Sequence, residues 1–338
     1  MAAPLEFSMR RRRVLLGLGA APLASLLPAC ATRAEPLSSW REGAPRQAII
    51  KFVTAVTNTQ GPDYVDPDER IAVFDNDGTL WSEQPLYFQV FFMIDQVRAA
   101  APRHPEWANN PAFIALMAGD MATLGRLGLK PVMELLMVAN TGMSTQDYEK
   151  TIADWLSTAR HPRFKRAYTE LTYQPMRELL SYFAANDFKN FIVSGGSIEF
   201  MRPWVQKAYG IPPERVVGTV SQVELDVREG APILKRLPKL EFMDDGPGKP
   251  VGIYRSIGRR PIAAFGNSDG DLQMLQWAAA GSGARLMGLV HHTDAAREWA
   301  YDRQSHVGKL DKALDEAIAK GWTVIDMQKD WARVYAFE

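Results

Sequence analysis

This chain of 338 residues has little cysteine, no excess of charge of either sign and few long apolar runs. Its one cysteine, Cys30, excludes an intramolecular disulfide and a zinc site built from cysteines. The 39 lysine and arginine residues balance the 39 aspartate and glutamate residues, so the composition predicts no nucleic-acid partner. With 46% hydrophobic residues and a length of about two typical domains, the chain is expected to form a globular protein with a substantial core.

The N-terminal 30 residues have the features of an export signal. Four arginines, residues 10–13, precede an apolar run at 14–27 that is too short for a stable membrane anchor. Residues 11–15 (RRRVL) resemble a twin-arginine signal, and residues 27–30 (LPAC) resemble a lipoprotein cleavage box apart from its proline. Cys30 is therefore a candidate lipid anchor, and ordinary cleavage nearby remains an alternative. We expect a mature protein that is periplasmic, or lipid-anchored and facing the periplasm.

Three short apolar runs each end in a polar cluster. Residues 71–74 precede 75–79 (DNDGT), residues 191–193 precede 194–197 (SGGS), and residues 262–265 precede 266–271 (GNSDGD). Unalternated apolar runs are typical of strands buried on both faces of a parallel sheet, and ligands bind at the carboxyl ends of such strands. The sequence therefore predicts an α/β fold, a parallel sheet with helices on both faces, whose polar strand ends form one site.

The spacing of the motifs predicts an insertion. About a hundred residues separate the first two clusters, more than one crossover needs, and most of them have a helical pattern. We expect an export signal at 1–30, an α/β core formed by 31–82 and 175–338, and a helical insert at 83–174. Further along, residues 216–220 and 223–227 are predicted to form a β-hairpin around residues 221 and 222.

The first cluster carries the most specific chemistry. Asp75 and Asp77, two residues apart on a turn after a strand, can face one cavity and act as nucleophile and general acid/base. An anionic phosphate ester could approach an aspartate only if a cation reduced the repulsion, and Mg²⁺ suits oxygen ligands. Asp271 and Asn267, with Asp269 as a further candidate, could supply the remaining protein oxygens.

The second cluster and a lysine complete a candidate phosphate site. Ser194, the amide of Gly195 and a helix N-terminus at Ser197 could together bind an anion, and Lys249 could place an ammonium beside the nucleophile. Taken singly, each motif is as compatible with an ordinary turn or a solvated loop. Their order along the chain, with the lysine between the second and third clusters, favours the catalytic interpretation.

This ordered set resembles the haloacid dehalogenase superfamily, most closely its phosphoserine-phosphatase-like branch, over roughly residues 65–295. The resemblance implies a Rossmann-like core, a helical cap that excludes water, and a Mg²⁺-dependent phosphatase that forms an aspartyl-phosphate. It also implies individual roles: Asp75 as nucleophile, Asp77 as general acid/base with its carbonyl on the metal, Thr79 and Ser194 as phosphate contacts, Lys249 as the third-motif lysine, and Asp271 as the fourth-motif metal ligand.

One departure from the family pattern leaves alternatives open. The fourth motif usually begins Gly-Asp, and here Asn267 takes the acidic position, which removes a charge from the expected metal site. A non-catalytic exported binding module is therefore one alternative. A dehalogenase of the same fold would not need Asp77, and a phosphomutase would be expected in the cytoplasm, so both are less favoured than hydrolysis.

Residues just after the first motif are candidates for substrate recognition. Trp81 and Glu83 could bind an ammonium-bearing phosphate ester such as phosphoserine, phosphoethanolamine or phosphocholine. The neighbouring Tyr87 and Phe88 could line the entrance, although simple packing of the first inserted helix explains them equally well. The expected partner is in any case a small phosphate ester.

Overall fold

The computed structural model describes residues 36–127 and 129–338. The predicted export signal, including Cys30, lies outside these residues. Within them, no helix has the length and apolar character needed to cross a membrane.

A central sheet organises the described part of the chain, and its core is parallel as predicted. The strands run in the spatial order β4-β3-β2-β1-β5-β6-β7, and β8 pairs with β6. The neighbouring strands β3, β2, β1, β5 and β6 pair in parallel, as do β6 and β8. Strand β4 pairs antiparallel with β3, and β7 pairs antiparallel with β6. The strands are β1 Ile71–Phe74, β2 Lys189–Ser197, β3 Val216–Arg228, β4 Ala231–Phe242, β5 Ala263–Gly266, β6 Leu286–Thr293, β7 Ala300–Tyr301 and β8 Thr323–Asp326.

Helices precede, follow and connect these strands. They are α1 Ala44–Thr57, α2 Phe88–Ala100, α3 Pro111–Ala118, α4 Met121–Leu127, α5 Leu129–Val138, α6 Thr145–Thr158, α7 Gln174–Ala184, α8 Ile198–Tyr209, α9 Gly248–Ser256, α10 Leu272–Ala279, α11 Lys312–Lys320 and α12 Met327–Asp330. Helix α8 begins after Ser197, whose hydroxyl accepts the Phe200 amide hydrogen at 3.2 Å, and ends at Gly210 with φ of 71°. Both of these ends follow directly from the sequence.

Both faces of the sheet are covered by helices. Ala72 and Phe74 of β1 pack into one apolar cluster with α1, α7 and α8. Ile71 and Val73, pointing the other way, pack into a second cluster with α9, α10 and α11. Since successive side chains of a strand face opposite sides, four consecutive buried residues need a core on each side. This is the predicted Rossmann-like α/β arrangement.

Helices α2 to α6 lie between β1 and α7 in the chain and divide between two cores. Val97, Trp107 and Leu116 belong to a separate apolar cluster with parts of α5. In contrast, Phe92 of α2 and Trp155 of α6 pack into the main cluster beside α8. The inserted segment is therefore held to the sheet by its first and last helices and has a small core of its own between them.

The hairpin between the second and third motifs differs from the prediction. Strand β3 continues through residues 221 and 222, where the register with β4 shifts, and the chain turns later, at Glu229 and Gly230. These two residues have φ values of 53° and 81°, as in a tight two-residue hairpin turn. The predicted turn at 221–222 was wrong because an irregularity in strand pairing interrupts the apolar alternation without ending the strand.

Candidate active site

The turn after β1 brings two carboxylates to the end of the sheet. The Asp75 amide donates to the carbonyl of Phe265 on β5 at 2.9 Å, which ties the start of the turn to the neighbouring strand. Gly78 has φ of 75°, and a Cβ there would lie 2.1 Å from Asn267 Nδ2 and 2.4 Å from Glu83 Oε1. Only glycine satisfies both the backbone conformation and the space, so the residue after Asp77 is determined by the packing of this turn.

Lys249, at the start of α9, is buried among three oxygens. Its Nζ donates to Asp75 Oδ1 at 2.7 Å, to Asp271 Oδ1 at 2.5 Å and to the carbonyl of Val193 at 3.0 Å. Burial alone would lower the pKa of Lys249, but the charges of Asp271 and Asp75 outweigh it and raise that pKa. Lys249 is therefore a fixed positive charge beside Asp75, as the third-motif interpretation expects.

Asp75 is poised at the cleft with one oxygen uncommitted. Its Oδ1 accepts from Lys249, and no donor from the described part of the chain bonds to its Oδ2. Burial raises the pKa of Asp75, with a further contribution from the charge of Asp271, while Lys249 opposes the increase. A buried carboxylate that is under-compensated in this way is stabilised by any additional cation nearby.

Asp271 contacts Lys249 and the loop after β5, on which Asp271 itself lies. It does not line the cleft. Its Oδ1 accepts from Lys249, and its Oδ2 accepts from the amides of Asn267 and Ser268 at 2.9 and 3.0 Å. Both oxygens are bonded in a fully buried position, where Asp271 holds Lys249 and the turn after β5 in place. Its role as a metal ligand stays a prediction.

Trp81 lies behind Asp77 and has no exposed surface. Its Nε1 donates to Asp77 Oδ1 at 2.8 Å, and its ring stacks on Trp204 of α8 at 4.2 Å. Trp81 does not line the cleft, and its only donor is used within the protein, so its predicted role in substrate binding stays a prediction that these contacts do not support. Burial raises the pKa of Asp77 to about 6, although the bond from Trp81 opposes that increase.

Thr79, Asn267 and Glu83 form a buried chain of hydrogen bonds beside the turn. The Thr79 hydroxyl donates to Asn267 Oδ1 at 3.0 Å, and Asn267 Nδ2 donates to Glu83 Oε1 at 2.7 Å. Tyr301 OH also donates to Glu83 Oε1 at 2.7 Å. Thr79 is buried and does not line the cleft, and its phosphate contact stays a prediction. Burial raises the pKa of Glu83 well above its usual value, and the bond from Tyr301 opposes the increase.

The end of β2 places Ser194 and Gly196 opposite the first motif. A Cβ at Gly196 would lie 3.5 Å from Ser194 Oγ and 3.6 Å from Asp77 Oδ2. The next amide, that of Ser197, donates to Gln89 Oε1 of α2 at 2.9 Å. The second motif therefore touches both the acid/base candidate and the inserted helices.

These groups open onto one cleft of about 250 Å³. Of the predicted site residues, Asp75, Asp77, Glu83, Ser194, Gly195 and Lys249 line it. Tyr87, considered for the entrance, and Gly196 of the second motif line it as well. Sequence reasoning missed the other lining residues, which are Gln89, Val90, Met93, Leu136, Met243, Asp245 and Ser268. Asp245 could have been found as the residue shortly before Lys249 in an acidic, glycine-rich loop. The apolar residues have no sequence signal that distinguishes them from ordinary core.

Comparison with known families agrees with this geometry. A model of the haloacid dehalogenase-like hydrolases matches residues 72–276, which span all three strand-end motifs and Lys249. The chain belongs to this family. A search of curated protein sequences gives no match.

Solved structures also resemble this haloacid dehalogenase-like hydrolase. A conserved protein of unknown function from Anaerococcus prevotii DSM 20548 is 17% identical, with a TM-score of 0.51 over 81% of this chain and 88% of that chain. One from Bordetella pertussis Tohama I is 15% identical, with a TM-score of 0.48 over 77% and 99%. A phosphoserine phosphohydrolase-like protein from Francisella tularensis subsp. tularensis SCHU S4 is 14% identical, with a TM-score of 0.36 over 74% and 99%. The first of these supports the fold.

The donor atoms of the cleft fit a hard divalent cation. Four carboxylate residues, Asp75, Asp77, Glu83 and Asp245, line it against the single ammonium of Lys249. In the described residues no three acidic, histidine or cysteine side chains form a compact metal cluster. Mg²⁺ commonly takes one or two carboxylates and completes its shell with water and phosphate oxygens, so a sparse set of oxygens suits it. The carboxyl groups of Asp75 and Asp77 both line the cleft and are available for this role.

Proposed function

We propose that this haloacid dehalogenase-like hydrolase is a Mg²⁺-dependent phosphomonoester phosphatase that forms an aspartyl-phosphate on Asp75. The observation that carries the proposal is the free Oδ2 of Asp75, held beside Lys249 in a cleft that also contains Asp77. Asp75, the carbonyl of Asp77, Asp271 and the amide oxygen of Asn267 are the groups proposed to hold the metal, which would supply charge neutralisation for the incoming phosphate.

In the first step, Asp75 Oδ2 attacks phosphorus and the bond from phosphorus to the ester oxygen breaks. The leaving oxygen takes a proton from the carboxyl of Asp77, so that an alcohol departs and Asp77 becomes ionised. Two features support Asp77 as this acid: a pKa of about 6, which allows both protonation states near neutral pH, and the Trp81 bond that holds its carboxyl in place.

In the second step, Asp77 takes a proton from water and the resulting hydroxide attacks phosphorus. The bond between phosphorus and Asp75 breaks, releasing inorganic phosphate and restoring the carboxylate. Lys249 supports both steps because its ammonium, bonded to Asp75, offsets negative charge as the phosphoryl group passes. The hydroxyl of Ser194 is the neutral donor proposed to contact the phosphate oxygens.

We propose Glu83 as the residue that recognises an ammonium group on the substrate. Its carboxyl group lines the cleft, but it is buried and accepts hydrogen bonds from two side chains, so little solvent reaches it. Glu83→Gln should weaken hydrolysis of phosphoethanolamine about tenfold or more and change hydrolysis of glycerol 3-phosphate much less. Equal losses on both esters would exclude the ammonium role.

A screen of small phosphomonoesters tests the proposed activity. Purified residues 31–338 should release inorganic phosphate from several esters with Mg²⁺ and lose that release in a chelator. Restoring Mg²⁺ should restore turnover, which separates metal removal from unfolding. Absence of hydrolysis across a broad panel, with an intact fold by circular dichroism, would favour the binding-module alternative.

We also propose export through residues 1–30, with the periplasm as the site of action. The support is the arrangement of arginines, apolar run and Cys30 in the sequence. A fusion of these residues to a reporter active only in the periplasm should give signal, which Arg11→Lys with Arg12→Lys should reduce. Labelled fatty acid incorporation, compared between the native chain and Cys30→Ala, distinguishes a lipid anchor from simple cleavage.

A further inference from the structure

A second cavity of about 120 Å³ adjoins the catalytic cleft. The two cavities share the side chains of Gln89, Met93, Leu136 and Met243, together with Gly195. Most of this partition consists of unbranched or flexible side chains, which repack at low cost. An organic group attached to a phosphate at the strand ends could therefore extend into the second cavity.

Arg236 of β4 lines the far side of this cavity and is buried without a counter-charge. Its side chain is only 8% exposed, and its guanidinium lies 3.6 Å from the centre of the Tyr148 ring. Its hydrogen bonds go to neutral oxygens, the carbonyl of Asn140 at 3.3 Å and Ser221 Oγ at 3.4 Å. Glu199 is the other charged group acting on Tyr148. Its Oε2 is buried without a hydrogen-bond partner, and among the described residues no ion pair joins it to Arg236.

The polar atoms beside Arg236 are also left without partners. Arg236 Nε is buried and makes no hydrogen bond among the described residues. The same is true of Oδ1 of Asn140, a residue that is 3% exposed. Both residues line the same cavity. A buried charge with neutral partners at long distances, next to an unbonded amide, is costly unless a ligand completes the hydrogen bonds.

We propose that Arg236 binds an anionic group on the organic part of the substrate. This inference rests on the proposed phosphatase function and names its substrate class: phosphomonoesters that carry a carboxylate or a second phosphate away from the scissile bond. Anionic oxygens would supply the charge and the acceptors that Arg236 lacks, and the amide of Asn140 can bond a hydroxyl or amine nearby. A guanidinium is well suited to both anions.

A purely structural role for Arg236 makes a different prediction. Its main chain ties the hairpin to the inserted helices, because its amide donates to Met143 and its carbonyl accepts from Gly142, at 2.9 and 3.0 Å. Those bonds do not involve the side chain and survive its replacement. If the guanidinium only supported packing, its removal would affect neutral and anionic substrates equally.

The test compares phenyl phosphate with 4-carboxyphenyl phosphate, which differ only in the remote carboxylate. The intact protein should prefer the carboxylate ester at least tenfold in kcat/KM, mainly through KM. Arg236→Met should remove this preference and leave hydrolysis of phenyl phosphate within about threefold. Arg236→Lys should retain part of it. Arg228→Met, on the exposed part of the same hairpin, is the matched control and should behave as the native chain.

A binding measurement separates this inference from the proposed function. Calorimetric titration with 4-(phosphonomethyl)benzoate and with benzylphosphonate requires no turnover, and only the former should lose affinity in Arg236→Met. Arg236→Gln provides a second variant should Arg236→Met fail to fold, with a loss in the same direction. Equal affinity of the native protein for the two phosphonates, or equal losses on both, would overturn the proposal. Failure to hydrolyse any ester would count against the phosphatase function alone.

Discussion

The cleft at the strand ends and the adjoining cavity differ in how completely the protein satisfies the buried cation that lines each of them. At the strand ends, the ammonium of Lys249 bonds two carboxylates and a carbonyl. In the adjoining cavity, Arg236 Nε and Asn140 Oδ1 are buried without partners among the described residues. A fully bonded cation is held in place before a ligand arrives, whereas the bonds of an incompletely bonded one can be completed by a ligand. The first arrangement suits catalysis, and the second suits discrimination between substrates.

Asp75→Asn is the substitution expected to have the largest effect on the site at the strand ends. The change removes the proposed nucleophile and the charge that faces Lys249, so turnover should fall by about a thousandfold or more. Asp77→Asn should also be slow but should still accept phosphate from an ester with a good leaving group. Trapped phosphoenzyme, measured with radiolabelled substrate, should therefore appear in Asp77→Asn and be missing in Asp75→Asn. Near-normal turnover of Asp75→Asn would show that another group is the nucleophile.

Asn267→Asp tests whether the chain of hydrogen bonds beside the turn tolerates more charge. From the sequence alone, an added carboxylate should tighten Mg²⁺ binding. The structure adds an opposing effect, because the new carboxylate would lie where Asn267 Nδ2 now donates to Glu83 at 2.7 Å. We expect a loss of about 1–3 kcal/mol in the free energy of unfolding without metal.

The double variant Asn267→Asp with Glu83→Gln provides the control. The glutamine amide can donate to the new carboxylate, so stability measured by urea unfolding should return toward the native value. The Mg²⁺ concentration for half-maximal activity should then fall below that of Glu83→Gln alone. A single variant as stable as the native chain would mean that Glu83 is already protonated or displaced.

Asp244 offers a pH-dependent test near the same site. Burial raises the pKa of Asp244 to about 7; the charge of Lys249 opposes this increase, and the charge of Asp245 adds to it. Neither carboxyl oxygen of Asp244 has a hydrogen-bond partner among the described residues. Because the folded-state pKa lies above the unfolded one, the folded protein holds the extra proton, and stability falls as pH rises from about 4 through 7. Asp244→Asn should match the native protein only near pH 3–4 and exceed it by a few kcal/mol at pH 8. A difference independent of pH would show that Asp244 does not titrate there.

The smallest expected effect is that of Asp269→Ala, a residue first considered as a metal ligand. Its Oδ1 instead accepts from the amides of Asp311 and Ala313, each at 2.9 Å, at the start of α11. Loss of such a cap costs about 1 kcal/mol, visible as a modest decrease in melting temperature. The Mg²⁺ requirement should not change. A raised requirement would return Asp269 to the metal site.

The sequence alone was sufficient to predict the fold and to place the motifs of the candidate site at the ends of neighbouring strands. Short apolar runs ending in polar clusters predict parallel strands whose carboxyl ends meet, because a strand buried on both faces has no polar alternation. The start of helix α8 was predicted at Ser197, because a serine there can cap the first turn of a helix. The carboxylate pair and Lys249 are likewise local patterns in a fixed order.

The partners of each side chain were decided only by the tertiary structure. Trp81 and Thr79 sit beside the motif in sequence, yet burial directs them to Asp77 and Asn267, away from the cleft. The extra length of β3 depends on its pairing with β4, a contact between strands that no local pattern encodes. Arg236 and Asn140 are far apart in the chain and far from every motif, and the fold alone encloses them together. Chain direction and backbone conformation are local properties, whereas burial and hydrogen-bond partners depend on segments that meet only after folding.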